Sequence, residues 1–266
     1  MPSYVVVGAS RGLGYEWLRQ LSSSPENTVI GLARAPTTVE AKLAADEISN
    51  VKILAADLSD HRSLTTAATD VAALTGGSLD YLIVNGVHQN PAADFLTPTE
   101  FSGREDLLHD YMVKALEINV IGAMYAINAF LPLVRKSSIK KIVVITTGLA
   151  DLDSQRQGTI GFFVTYSALK AALNMVVVRY SIELKREGVT LLALSPGLVN
   201  TQEVPPPPEV MPRIANLMQD VVTANPEFKG PSTPAESVRQ QRKVIEDITH
   251  ENSGAFLSHF GNREWI

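Results

Sequence analysis

The chain has 266 residues, 45% hydrophobic and 19% charged, which is enough apolar chain for one sizeable core and too much for a disordered polymer. A formal net charge of −5 argues against a general binder of nucleic acid or anionic membranes, and the absence of cysteine removes disulfides, thiol nucleophiles and Cys-ligated metals. The N-terminus runs straight into Tyr4-Val5-Val6-Val7 without a basic leader, and no apolar run reads as the roughly 18–20 residues that span a bilayer, so a cytoplasmic protein is expected.

Short β-branched runs at 3–7, 28–32, 51–55, 79–84, 139–145 and 189–194 alternate with helical patterns at 13–22, 39–46, 61–74, 105–130 and 165–187. Strands without polar alternation, separated by helices, belong to a parallel sheet covered on both faces. Right-handed crossovers then make an α/β, doubly wound, Rossmann-type fold, a single domain over 1–266. After Leu194 the rhythm breaks. Residues 195–212 contain Pro205-Pro206-Pro207-Pro208 and read as an irregular excursion, opening a substrate-loop region at about 196–230. Helices at 211–223 and 234–249 and an edge strand at 254–258 complete about seven strands.

Gly8-Ala9-Ser10-Arg11-Gly12-Leu13-Gly14 joins the first strand to the first helix. Glycines let the backbone approach a pyrophosphate, and a helix N-terminus offers unpaired N–H groups and a favourable dipole. The bland alternative is a tight strand-to-helix turn; position in the first βα unit favours a dinucleotide. Just past the second strand, where an acid would accept from the ribose 2′-OH of NAD, stand neutral Ala33 and then Arg34. Arg34 and Arg11 therefore predict a 2′-phosphate and NADP(H).

Tyr166 and Lys170 lie four apart in a helical stretch, hence on one face. An ammonium there can stabilise a phenolate. A phenol titrating near 10 needs a shift of about three units, roughly 4 kcal/mol, to exchange protons readily at neutral pH. The spacing alone is common on solvated helices; its company along the chain gives it weight. The five histidines, His61, His88, His109, His250 and His259, show no metal-ligand spacing, so no metal is expected.

With these pieces in order, the chain resembles the short-chain dehydrogenase/reductase family, over roughly residues 3–260. The matching residues are Gly8 to Gly14, Asp57-Leu58, Asn85-Gly86, Asn119, Tyr166 with Lys170, and Ser195-Pro196-Gly197-Leu198-Val199-Asn200-Thr201. The resemblance implies that Asp57 and Leu58 receive the adenine, while Asn85 and Gly86 line the ribose side. It implies that Asn119 holds a water leading to Lys170. Pro196 and Gly197 would approach the nicotinamide, with Val199 at its carboxamide and the Thr201 hydroxyl at the carboxamide or the pyrophosphate. Tyr166, Lys170, Thr147 and Asn119 are then the catalytic set, acting on a small, partly hydrophobic carbonyl or alcohol substrate. A homodimer or homotetramer is implied through the helices at 105–130 and 165–187.

The chain departs from the family pattern twice. Thr147 stands where Ser is usual, with Thr146 and Ser154 as alternatives, and 19 positions separate it from Tyr166. Val87 follows Asn85-Gly86 where the family typically has Asn-Ala-Gly. These departures keep a second reading open: a family scaffold without redox turnover, either a cofactor-sensing binding protein or an isomerase. Specificity is expected in 87–101, 151–163 and 199–225. His88, Phe162 and Phe163 read as loop or pocket-lining residues.

Overall fold

The computed structural model describes residues 1–201 and 208–266, so Pro205 to Pro207 of the predicted excursion lie outside the described residues. Seven strands form one sheet: β1 (Ser3–Val7), β2 (Thr28–Ala33), β3 (Val51–Ala55), β4 (Tyr81–Val84), β5 (Lys141–Ile145), β6 (Thr190–Ser195) and β7 (Ala255–Ser258). Their spatial order is β3-β2-β1-β4-β5-β6-β7, and every neighbouring pair is parallel. This is the doubly wound, Rossmann-type sheet the alternation predicts. The last strand is an edge, paired among the described residues with β6 alone.

The helices are α1 (Gly12–Ser22), α2 (Pro36–Ala45), α3 (His61–Thr75), α4 (Pro91–Asp94), α5 (Glu105–Leu116), α6 (Gly122–Val134), α7 (Leu152–Gln157), α8 (Val164–Glu183), α9 (Met211–Ala224) and α10 (Pro234–Asp247). They cover both faces. One buried cluster holds Leu64, Ala126, Ile127, Phe130, Leu173 and Val177 against the sheet; the other holds Trp17, Leu18, Leu43, Val238 and Ile245. Several starts follow simple capping chemistry. Asp60 accepts from Arg62 N at α3, and Thr233 forms a capping box with Glu236 at α10.

The run expected as one helix at 105–130 is broken by a π turn over Glu117–Ile121, where Gly122 N reaches back five residues to Glu117 O. The break divides labour. α5 contributes Tyr111 and Ala115 to a third cluster with Ala93, Phe101 and Leu169, whereas α6 feeds the main core under the sheet. One sequence expectation is corrected here: Glu105–Val134 does contain a stretch long and apolar enough, by length and composition, to cross a bilayer. In the fold that stretch packs as a core helix against α3 and α8. Two short helices, α4 and α7, arise in segments expected to be loops; Asn90 and Asp151 cap them by accepting from main-chain N–H groups.

Candidate active site

The strand order reverses between β1 and β4, and in open α/β sheets ligands bind in the crevice outside the strand C-termini at such a point. Gly8 follows β1 with φ 83°, and a Cβ on it would stand 2.5 Å from the Gly86 Cα. One on Gly14 would stand 2.0 Å from the Gly8 carbonyl oxygen. That carbonyl accepts from Asn85 Nδ2 at 3.0 Å, so the loops after β1 and β4 are locked together. Among the described residues no side chain caps α1, which leaves its first-turn N–H groups without a side-chain acceptor. Packed glycines and an uncapped helix start fit a pyrophosphate.

Around this cradle the expected cofactor residues gather. Ser10, Arg11 and Arg34 are exposed, and neither arginine forms an ion pair among the described residues. Leu58 is buried, and its Cδ1 lies 2.5 Å from where a Gly86 Cβ would be. One Asp57 carboxylate oxygen accepts from Ser59 N and Oγ, both at 2.9 Å, and the other has no partner among the described residues. Thr201 stands beside Gly12 across the cradle, 3.3 Å from the position of a Cβ on that glycine. Val199 makes a parallel bridge to Ser232, and Pro196 O accepts from Ser237 Oγ at 2.7 Å, which fix the loop after β6.

At the adjoining end of β5, Thr147 caps a short turn by accepting from Leu149 N at 3.3 Å. Its hydroxyl also hydrogen-bonds the Tyr166 phenol, which favours the phenolate, but burial dominates and Tyr166 is pushed up to about 12, with the charge of Asp94 adding to the rise. Lys170 is buried, and desolvation lowers its ammonium to about 8. Its Nζ donates to Ile145 O at 2.8 Å and lies 6.0 Å from the centre of the Tyr166 ring. The pair shares a face, and burial of the phenol, not the ammonium, is the largest cause of its upward shift. Of the alternatives to Thr147, Thr146 is buried with an unbonded hydroxyl, and Ser154 lies in α7.

The Lys170 shift has a measurable consequence. Between its folded value of about 8 and the ordinary 10.5, the unfolded chain binds the proton more tightly. The stability of the cofactor-free wild type should therefore rise with pH across that window relative to Lys170→Met, by up to about 3 kcal/mol, in paired denaturant melts. Parallel melts of the two proteins would contradict it.

A family model described as short chain dehydrogenase matches residues 3–206. The chain belongs to the short-chain dehydrogenase family. The chain is 39% identical to the short chain dehydrogenase virK of Hypocrea virens and 40% identical to the short-chain dehydrogenase/reductase AacuF of Aspergillus aculeatus, each over the whole of both chains. Its fold matches the NADPH-bound carbonyl reductase from chicken fatty liver with a TM-score of 0.77 at 24% identity, covering 98% of this chain and 93% of that one. The carbonyl reductase Sniffer of D. melanogaster gives a TM-score of 0.77 at 20% identity, covering 98% of each.

The Asn119 amide is committed to the loop after β4: Oδ1 accepts from His88 N at 2.7 Å, and Nδ2 donates to His88 O at 3.0 Å. It sits buried in the π turn, an irregularity frequent at functional sites. Val87, expected either to crowd the cofactor's ribose or to re-aim the loop that follows, is 43% exposed, and the His88 main chain next to it is held by Asn119.

The candidate site also has walls that the motifs did not reveal. A Cβ on Gly148, next to Thr147, would strike Trp265 at 2.5 Å, and one on Gly197 would strike the His259 ring at 2.4 Å. Arg263 pairs with Asp151 at 2.5 Å. The C-terminal segment therefore backs both Thr147 and Pro196-Gly197, and burial holds His259 neutral, down to about 4. Glycines beside a motif were the only sequence hint. On the open side, Arg213 of α9 bonds Glu100 and Phe95 O, and Thr159 donates to Asp220 at 2.5 Å. Between them lies a cavity of about 370 Å³ lined in part by Thr97, Ile160, Phe162 and Leu217.

Proposed function

We propose that this dehydrogenase is an NADP(H)-dependent carbonyl reductase, or the reverse alcohol dehydrogenase, with Tyr166 as the general acid and base. The observation that carries the reading is the juxtaposition of Tyr166, its partner Thr147 and buried Lys170 beside the glycine cradle at the β1/β4 crevice. When bound, the nicotinamide supplies or accepts the hydride. Tyr166 gives its proton to the carbonyl oxygen as that oxygen gains charge, and Thr147 holds the same oxygen by a hydrogen bond. Lys170 stays anchored to Ile145 O and brings a positive charge near the phenol. Asn119 shapes the site through His88, and a water at this position would rest on its main chain. The cavity under α9, with Phe162, Ile160 and Leu217, supports a partly hydrophobic substrate. Val113, Leu116 and Met124, with Met175 and Ile182 of α8, leave apolar surface exposed that supports a homodimer or homotetramer.

The cofactor reading is supported by structural neighbours described as NADPH-bound, NADP-bound and NADPH-dependent. It is supported independently by Arg11 and Arg34, exposed at the cradle and past β2. Arg34→Ala is expected to lower kcat/KM for NADPH by about 10–100-fold and leave NADH turnover unchanged, since one charge-assisted hydrogen bond is worth roughly 1.5–3 kcal/mol. Equal loss with both cofactors would remove the 2′-phosphate role. Turnover itself is tested by the absorbance of NADPH over a panel of aromatic ketones and quinones. Oxidation of NADPH is the expected outcome; tight binding without oxidation across the panel would favour a cofactor-sensing protein.

A further inference from the structure

The segment after β7 touches three parts of the site at once. Trp265, 9% exposed, stacks on Phe256 of β7 with ring centres 4.3 Å apart and planes 24° from parallel. It also lies against Gly148, where a Cβ would stand 2.5 Å from the Trp265 Cβ and 2.6 Å from its Cγ. Gly148 N donates in addition to Ser195 Oγ at 3.0 Å. The short turn that Thr147 opens is therefore held by β6 through Ser195 and by the indole.

Arg263 of the same segment pairs with Asp151, 112 positions away and 5% exposed. One Asp151 oxygen caps α7 by accepting from Asp153 N and Ser154 N, both at 3.0 Å. The other accepts from Arg263 at 2.5 Å. The cap does not need the arginine; the second oxygen does, because a buried charge left without a partner is costly. α7 leads into residues 158–163, of which Ile160 and Phe162 line the cavity of about 370 Å³. α9 supplies another wall of that cavity with Leu217 and Asp220. Just past α9, Asn225 Nδ2 donates to Ile266 O at 3.3 Å. One stretch of four residues thus reaches the Thr147 turn and the bases of two cavity walls.

We infer that Trp265 and Arg263 are positioning residues for the proposed carbonyl reduction: the indole sets the turn that carries the Thr147 hydroxyl, and the guanidinium, through Asp151, sets the cavity wall at 158–163. The inference rests on the reading of Thr147 and Tyr166 as the groups that meet the carbonyl oxygen. Both residues act at one remove, Trp265 through Gly148 and Arg263 through the start of α7. Placement counts, because a displacement of about 1 Å at the reacting groups can lower the rate by roughly 100-fold. The two residues act on different constants. Trp265 governs kcat, through the hydroxyl that holds the substrate oxygen. Arg263 governs the KM of the carbonyl substrate, through the wall that the substrate lies against.

The test is steady-state reduction of phenanthrenequinone by the full chain, with NADPH affinity measured beside it by fluorescence titration. Trp265→Leu should lower kcat by about 10–100-fold and leave NADPH affinity within about twofold. Trp265→Phe, which keeps a ring against Phe256, should recover most of the loss. Asp151→Asn keeps an acceptor for the α7 cap and removes the charge. That variant and Arg263→Met should each raise KM by about 5–20-fold with kcat little changed, since a charge-assisted hydrogen bond is lost. The double variant should do no more than either, because both remove the same contact. A merely structural role would lower NADPH affinity, kcat and 1/KM together. That result, or constants unmoved in Trp265→Leu or in Arg263→Met, overturns the inference. The reductase reading fails differently, by wild-type protein that oxidises no NADPH with any carbonyl of the panel. The hold on α7 is then read by tryptic cleavage after exposed Arg156, expected about tenfold faster in Asp151→Asn than in the wild type. Equal rates of cleavage overturn it.

Discussion

Tyr166→Phe is expected to lower kcat for NADPH-dependent carbonyl reduction by about 10²–10⁴-fold, the range that a positioned proton donor supplies. The ring itself should stay in place. It meets the Phe163 ring at 6.2 Å in a T-shaped contact that phenylalanine can make equally well. What is lost is the hydroxyl, together with its bond to Thr147. NADPH affinity, measured by fluorescence titration, should change little, because the glycine cradle and the arginines are untouched. Rates within threefold of the wild type would remove Tyr166 from the chemistry.

Gly14→Ala should be the most damaging single change to the cradle. The added methyl would stand 2.0 Å from Gly8 O and 2.8 Å from Asn85 Nδ2, and the first of these is main chain that cannot swing away. Relieving the clash pushes Gly8 O off the Asn85 amide and separates the loops after β1 and β4. Overpacking of this kind costs about 1–3 kcal/mol, so Tm should fall by roughly 3–10 °C. NADPH binding should weaken by more than about 100-fold, since the pyrophosphate would lose its seat. Gly158→Ala is the control: its nearest atoms would lie at 3.6 and 3.7 Å, and neither melting nor binding should move appreciably. A Gly14→Ala protein with wild-type affinity would show that the cofactor does not lie across this loop.

The sheet was readable because its signals are local. Val5-Val6-Val7, Ile142-Val143-Val144 and Leu191-Leu192-Ala193 are buried on both faces and show as unbroken apolar runs. The glycines at 8, 12 and 14 were readable for a similar reason, since only a few backbone geometries need residues without Cβ so close together. Strand ends were less so. β5 begins at Lys141 and not at 139 because Lys140 adopts φ 54°. The α8 boundary slipped for the same kind of reason, with Phe163 in the left-handed region just before it.

The site's walls were not legible, because they are made by residues far apart in the chain. Trp265 against Gly148, His259 against Gly197 and Tyr111 on Asp94 are long-range packing partners that no periodicity encodes. Asp94 sits in Pro91-Ala92-Ala93-Asp94-Phe95-Leu96 as a lone acid in an otherwise apolar run, and its partner Tyr111 lies 17 positions further on. The Lys170 side chain illustrates the limit from the other direction. Its place on the Tyr166 face follows from the spacing, but its choice of Ile145 O as partner depends on how β5 ends beside it.

The π turn at Glu117–Ile121 bears on how this protein tolerates changes in length. The wide turn absorbs one extra residue between two α-helical segments, so removing one residue there would let an ordinary α-helical ring close in its place. Asn119 would leave His88, while α6 could keep its seat on the sheet. Substitutions on α5 and α6 can therefore accumulate separately, one helix under selection for the pocket and the other for the core. A deletion in the turn would thus act on Asn119 and its hold on the loop after β4 more than on the core.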